Sequence, residues 1–209
     1  TNGVYATGAR VTPGYILTNR VVITNNVVVK SVNGPAVTAI QGRGPLGSNA
    51  LRCVFMTQGT LEGFTLTNGF TCVEGAGNYE QSGGGACAVG AVLSNCTISG
   101  NAASGNGGGV FGGTLYNCTL SGNGANQYGG GANYCTLNQC ALAGNSARIN
   151  GGGVSEGILN NCVITGNSAS ESGGGAFNSI LNNCAVSGNG ANQYGGGASG
   201  SALKNCTLT

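Results

Sequence analysis

The sequence predicts an all-β fold, a parallel β-helix (β-solenoid) of about 22 residues per coil, with larger coils at its amino-terminal end. Three periodic features carry that prediction. Cys96, Cys118, Cys140, Cys162, Cys184 and Cys206 follow one another at intervals of 22 residues. A triple glycine opens at Gly107, Gly129, Gly151, Gly173 and Gly195 on the same beat, and a Gly-Asn pair ends at Asn101, Asn123, Asn145, Asn167 and Asn189. A fixed period of this length without helical patterning marks a repeat whose units bury their apolar faces only by stacking.

The 209 residues read as a single solenoid domain in three stretches. Residues 1–60 are irregular coils: Ile16-Leu17, Val21 to Ile23, Val27 to Val29 and Val37 to Ile40 are β-rich runs broken by Asn and Gly, and their register stays open. Residues 61–95 form one long coil. Leu61, Gly63, Phe64 and Leu66 fit the repeat, with Phe64 in the cysteine slot and Gly63 at the corner. Phe64 and Cys96 are 32 residues apart, so this coil carries about ten extra residues, roughly Phe70 to Ser82, as a loop.

Residues 96–209 are the regular coils. Alternation of Cys118 and Leu120 with Thr119 and Ser121 is a strand of period two, with Cys118, Leu120 and Leu115 facing inward. Asn117 makes the corner between two short strands, since its side chain tolerates a left-handed backbone. The glycine triplet turns without a side chain.

Composition narrows the function classes. Forty-three glycines suggest low complexity, but their periodic placement argues for turns. Five Glu and seven Lys+Arg give a net charge of +2, too sparse for a nucleic-acid or anionic-membrane partner. No apolar run is long enough for a transmembrane segment, and Thr1 to Val4 show no secretion signal, which an exported chain would have lost. Asp, His and Trp are absent. That removes the commonest general base and most carboxylate chemistry.

The cysteine file has two readings: disulfides between neighbouring coils, or free thiols filling a narrow core. Neighbouring parallel rungs point their Cβ atoms the same way, which suits thiols better than the disulfide dihedral. Cys53, Cys72 and Cys87 lie outside the file near the insertion, where a disulfide among them and three free thiols are both open. Cys135 and Cys140 lack further ligands, and no metal or other cofactor is expected. The Asn101, Asn123, Asn145, Asn167 and Asn189 amides, if inward, hydrogen-bond along the stack. Asn95, Asn117 and Asn205 head Asn-Cys-Thr triplets but read as corner residues rather than glycosylation sites. The carboxylates Glu62, Glu74, Glu80, Glu156 and Glu171 read as solvated charge, with no pair placed for glycoside cleavage. A strip of small, often hydroxylated residues, Thr65/Thr67 through Thr207/Thr209, faces outward as an ordinary solvent surface, with solenoid packing or water ordering as the sharper readings.

Gly130-Gly131-Ala132, Gly174-Gly175-Ala176 and Gly196-Gly197-Ala198 come with apolar-x-x-Asn at Leu120/Asn123, Ile164/Asn167 and Val186/Asn189. In these motifs the chain resembles the right-handed parallel β-helix repeat proteins of bacterial surfaces, the polymorphic outer-membrane protein type. It departs from them in having Leu, Ile or Val where that family has Phe, and no Ile after Gly-Gly-Ala. The resemblance covers Leu61 onward and implies an exported location, extracellular or on a bacterial cell surface. Such folds serve many functions.

The expected function is a non-enzymatic structural β-solenoid that stacks on itself head to tail into a surface fibre. Val4 and Tyr5 at one end and Thr207 and Leu208 at the other are the candidate self-assembly strands; the rival reading, a piece of a longer solenoid, leaves the same bare edges and stays open. One alternative is an adhesin or passenger module contacting glycan or cell surface through Tyr79, Tyr116, Tyr128, Tyr134 and Tyr194. A polysaccharide-degrading enzyme is disfavoured, because neither a calcium-holding acidic cluster nor paired Asp can be assembled.

Overall fold

The computed structural model describes residues 2–11, 14–74 and 77–209. Its chain winds as a β-solenoid of parallel sheets whose regular coils repeat every 22 residues. Each regular coil visits four faces in turn. In one coil, Val110–Phe111 belongs to face one, Thr114–Tyr116 to face two, Thr119–Ser121 to face three and Gly124–Ala125 to face four. Among the described residues, faces one and three hold nine strands each, face two eight and face four five.

Register follows the sequence period. Leu115 lies opposite Leu93 and Leu137, Leu120 opposite Ile98 and Leu142, and Val110 opposite Ala86 and Ala132. These columns and the file cysteines from Cys96 to Cys184 are buried and form one continuous core from Ile23 to Val186. Burial of this kind is worth about 25 cal/mol per Å² of apolar surface, so each coil is stabilised mainly by its two neighbours.

The corners are set by residue type. Asn95, Asn117, Gln139, Asn161, Asn183 and Asn205, each just before a file cysteine, have φ between 51° and 56°. A short amide side chain lowers the cost of that conformation. The turn from face three to face four uses Gly122 (φ 61°) and its equivalents, and the turn into face one uses Gly129 (φ 66°) and its equivalents.

The amino-terminal register left open by the sequence is fixed by pairing. Val21 lies opposite Val54, Val29 opposite Leu61 and Ile40 opposite Leu66. Ile16-Leu17 is not a strand. It precedes Thr18–Ile23, and Leu17 packs with Ala50 and Cys72 in a small separate cluster. Leu51–Met56, which shows no alternation, is a strand buried along its whole length. Arg10–Val11 pairs antiparallel with Thr18–Ile23 and edges face one at the amino end. The insertion after Phe64 holds a short helix, Asn78–Gln81. No helix among the described residues is long and apolar enough to cross a membrane.

Candidate functional site

The cysteine file is internal structure. Cys96 to Cys184 are buried free thiols, and Cys206, at the end of the stack, is half-buried. Each sulfur turns toward main-chain carbonyls: Cys118 Sγ approaches Tyr116 O at 3.3 Å and Leu93 O at 3.6 Å. Cys118 also shares side-chain hydrogen bonds with Cys140 and Cys96, which together with burial push its pKa up. Burial is the main cause that pushes Cys53 and Cys135 up to about 12.

A disulfide among Cys53, Cys72 and Cys87 is not formed. Cys53 belongs to the main core, Cys72 packs beside Leu17 and Ala50, and Cys87 lies between Phe55 and Phe111, so three different apolar clusters keep the thiols apart.

The asparagine file is an amide ladder. Asn101 Nδ2 donates to Asn123 Oδ1 at 3.0 Å, and the links Asn123–Asn145, Asn145–Asn167 and Asn167–Asn189 repeat it at 2.9 Å. Each amide also donates to a carbonyl of the coil below, as Asn123 does to Ile98 O at 2.9 Å. The ladder begins at Gly69, whose backbone N–H donates to Asn101 Oδ1 at 2.8 Å. Here the pair is reversed: Asn68 takes the left-handed turn (φ 54°) and glycine takes the ladder position. A Cβ at Gly69 would lie 2.1 Å from Gly84 O and 2.8 Å from Cys53 Sγ.

Chemistry accessible to a ligand lies outside the column, where the insertion meets face one. Arg52, 2% exposed, holds the insertion in place. Its guanidinium donates to Gly83 O (2.9 Å), Ser82 O (2.8 Å), Asn19 Oδ1 (3.1 Å) and Tyr79 O. Such a fan of donors suits arginine's planar fork. Glu80, expected to be solvated, is buried: its carboxylate accepts from the backbone N–H groups of Leu17 (3.2 Å) and Ile16.

This anchoring sets a chain of rings along the face. Tyr15 stands 5.5 Å from Phe55 and 6.3 Å from Tyr79, Tyr79 stands 6.1 Å from Phe111, and Phe111 stands 5.9 Å from Tyr134, with interplanar angles from 50° to 79°. These are the tilted and edge-to-face arrangements aromatic quadrupoles prefer. Around them opens a cleft of about 670 Å³ lined by Tyr15, Tyr79, Glu80, Val89, Phe111, Gly112 and Tyr134. Beyond it, Glu156 hydrogen-bonds the Tyr134 phenol and raises its pKa.

Of the five tyrosines expected to mark a surface site, Tyr79 and Tyr134 converge here. Tyr116 stands on face two, and Tyr128 and Tyr194 flank Asn150 and Ser172 in a separate column. Tyr15, Phe111 and Arg52 carry no periodic signal and were not expected at a site. The outward strip on face three is present in register, Thr65 to Thr97 to Thr119 to Ala141 to Val163 to Ala185 to Thr207. No protein-family model, curated protein or solved structure matches this chain.

Proposed function

We propose that the protein is a non-enzymatic structural β-solenoid, a rod at a cell surface or outside the cell that extends by adding coils to its end faces. The observation that carries this reading is the unbroken register of core columns and amide ladder through the regular coils. Leu203 and Leu208 continue the columns of Leu181 and Val186, yet are 43% and 50% exposed. Tyr5 continues the column of Ile40 and Leu66 and is 45% exposed. Core-type side chains and open strand edges of this kind are satisfied by a further rung.

In the proposed fibre that rung comes from a second copy, head to tail, while further coils of a longer chain would satisfy the same edges. On face three, Thr207–Leu208 of one copy pairs with Gly3–Tyr5 of the next. Face two has one strand fewer, so the joint carries a one-rung notch there. Heterologous contacts of this type propagate into filaments. An exported setting, which the motif resemblance implies, fits ten unpaired thiols because nine are buried away from oxidant. Sedimentation velocity and negative-stain microscopy of the 209-residue chain test the reading. Filaments growing with concentration support it, and a monomer that stays monodisperse at high concentration overturns it.

A further inference from the structure

At the corner between faces one and two, successive coils place one left-handed residue each: Gly112, Tyr134, Glu156, Asn178 and Gly200, with φ from 46° to 71°. In the longer coil before them, Val89 abuts this column, because a Cβ at Gly112 would lie 2.8 Å from Val89 Cγ2. Val89 therefore takes the space that a side chain at Gly112 would fill, and both line the cleft together with Phe111 and Tyr134. Phe111 and Tyr79 form the adjoining surface, and Tyr79 and Tyr134 remain 39% and 55% exposed.

We infer that this cleft is a saccharide-binding site for a neutral glycan, whose sugar rings lie against the aromatic strip. A pyranose presents an apolar C–H face and a rim of hydroxyls. The cleft answers both, with ring faces and Val89 for the C–H surface, and the phenol of Tyr134 with the Glu156 carboxylate for the hydroxyls. Charge selects among sugars. No Lys or Arg is among the described residues lining the cleft, whereas Glu80 lines it and Glu156 adjoins it. Uronic acids and sulfated sugars therefore find no counter-ion and meet carboxylates instead. The site does not depend on whether the rod assembles, since neither end face contributes to it.

The test measures binding to the intact chain by tyrosine fluorescence and saturation-transfer NMR. The probes are β-1,4-linked glucose and N-acetylglucosamine hexasaccharides, an oligogalacturonate and tetramethylammonium. Binding of at least one neutral hexasaccharide is expected, weakened about tenfold or more, equivalent to 1.4 kcal/mol, by Tyr134→Asn. Asparagine already occupies the same corner at Asn178, so this variant keeps the turn. Tyr79→Ser, on the insertion, is an independent second variant with the same expected loss, and Tyr116→Ser on face two leaves binding unchanged. Three results would overturn the inference: no neutral probe binding at about 1–10 mM, binding confined to the oligogalacturonate or to tetramethylammonium, or binding indifferent to both cleft variants.

Discussion

Asn145 shows at residue scale what holds the column together. Its amide donates to Leu120 O and Asn167 Oδ1 and accepts from Asn123 N and Nδ2, so four hydrogen bonds use its full capacity in a site closed to water. Each buried group left without a partner costs about 1–3 kcal/mol. Asn145→Ala strands groups on both neighbouring coils and should destabilise by about 3 kcal/mol or more, read from the denaturant midpoint. The same substitution at exposed Asn126, outside the ladder, should change the midpoint little. The thiols give a second prediction. Cys206 alone is incompletely buried, so a thiol reagent on the native protein should modify it first and leave the other nine until the protein unfolds. Rapid modification of Cys118 in the native state would contradict the packing.

Their ionisation gives a third. Cys53 and Cys135 are pushed from an ordinary value of 9.0 up to about 12 in the folded chain, chiefly by burial. The unfolded chain can ionise where the folded one cannot. Their contribution is therefore intact below about pH 9 and is lost as pH rises from 9 toward 12. The unfolding midpoint should fall across that window, and fall less steeply in Cys53→Ala and Cys135→Ala chains.

At the scale of the element, the glycines divide into two kinds that sequence alone does not separate. Gly122 is left-handed with open space around its Cβ direction, so Gly122→Ala meets only backbone strain, about 1–2 kcal/mol. Gly130 is not left-handed, but a Cβ there would lie 2.2 Å from Ser146 O and 2.5 Å from Gly152 O of the next coil. Gly130→Ala should force two coils apart and cost several-fold more. Equal effects in thermal melts would show that the coils do not approach this closely. The regular coils were legible because a cysteine, an asparagine and a glycine triplet recur at one spacing and each has one job. The amino-terminal coils were not, because their rungs vary in length and lack a repeated polar marker. Leu51–Met56 hides as a strand because both of its faces are covered, one by the core and the other by Tyr15 and the insertion. The cleft was legible only in part. Tyr79 and Tyr134 stood out as tyrosines, but Tyr15 reaches Tyr79 across 64 residues of sequence, and the cleft beside Gly112 emerges only once the corner residues of successive coils are set in register.

The whole molecule behaves as a stack in which each coil contacts its neighbours and stability grows with their number. Its two end faces differ. The amino end carries the antiparallel strand Arg10–Val11 on face one, while the carboxy end presents only parallel edges. A charge placed on the carboxy face should therefore act on assembly and spare the coil. Leu208→Lys, at a half-exposed position, should leave the circular dichroism spectrum and melting temperature nearly unchanged and abolish filament growth. Unchanged growth would place the contact elsewhere, with the outward strip on face three the next surface to test.

The central claim is that this rod continues, rung upon rung, from one copy into the next. Cryo-electron microscopy of the concentrated 209-residue protein addresses it most directly. The account predicts filaments in which Thr207–Leu208 of one copy pairs in parallel with Gly3–Tyr5 of the next, at the strand spacing of about 4.8 Å that holds within each copy. Dispersed single rods, or copies joined side by side with both end faces bare, would contradict it.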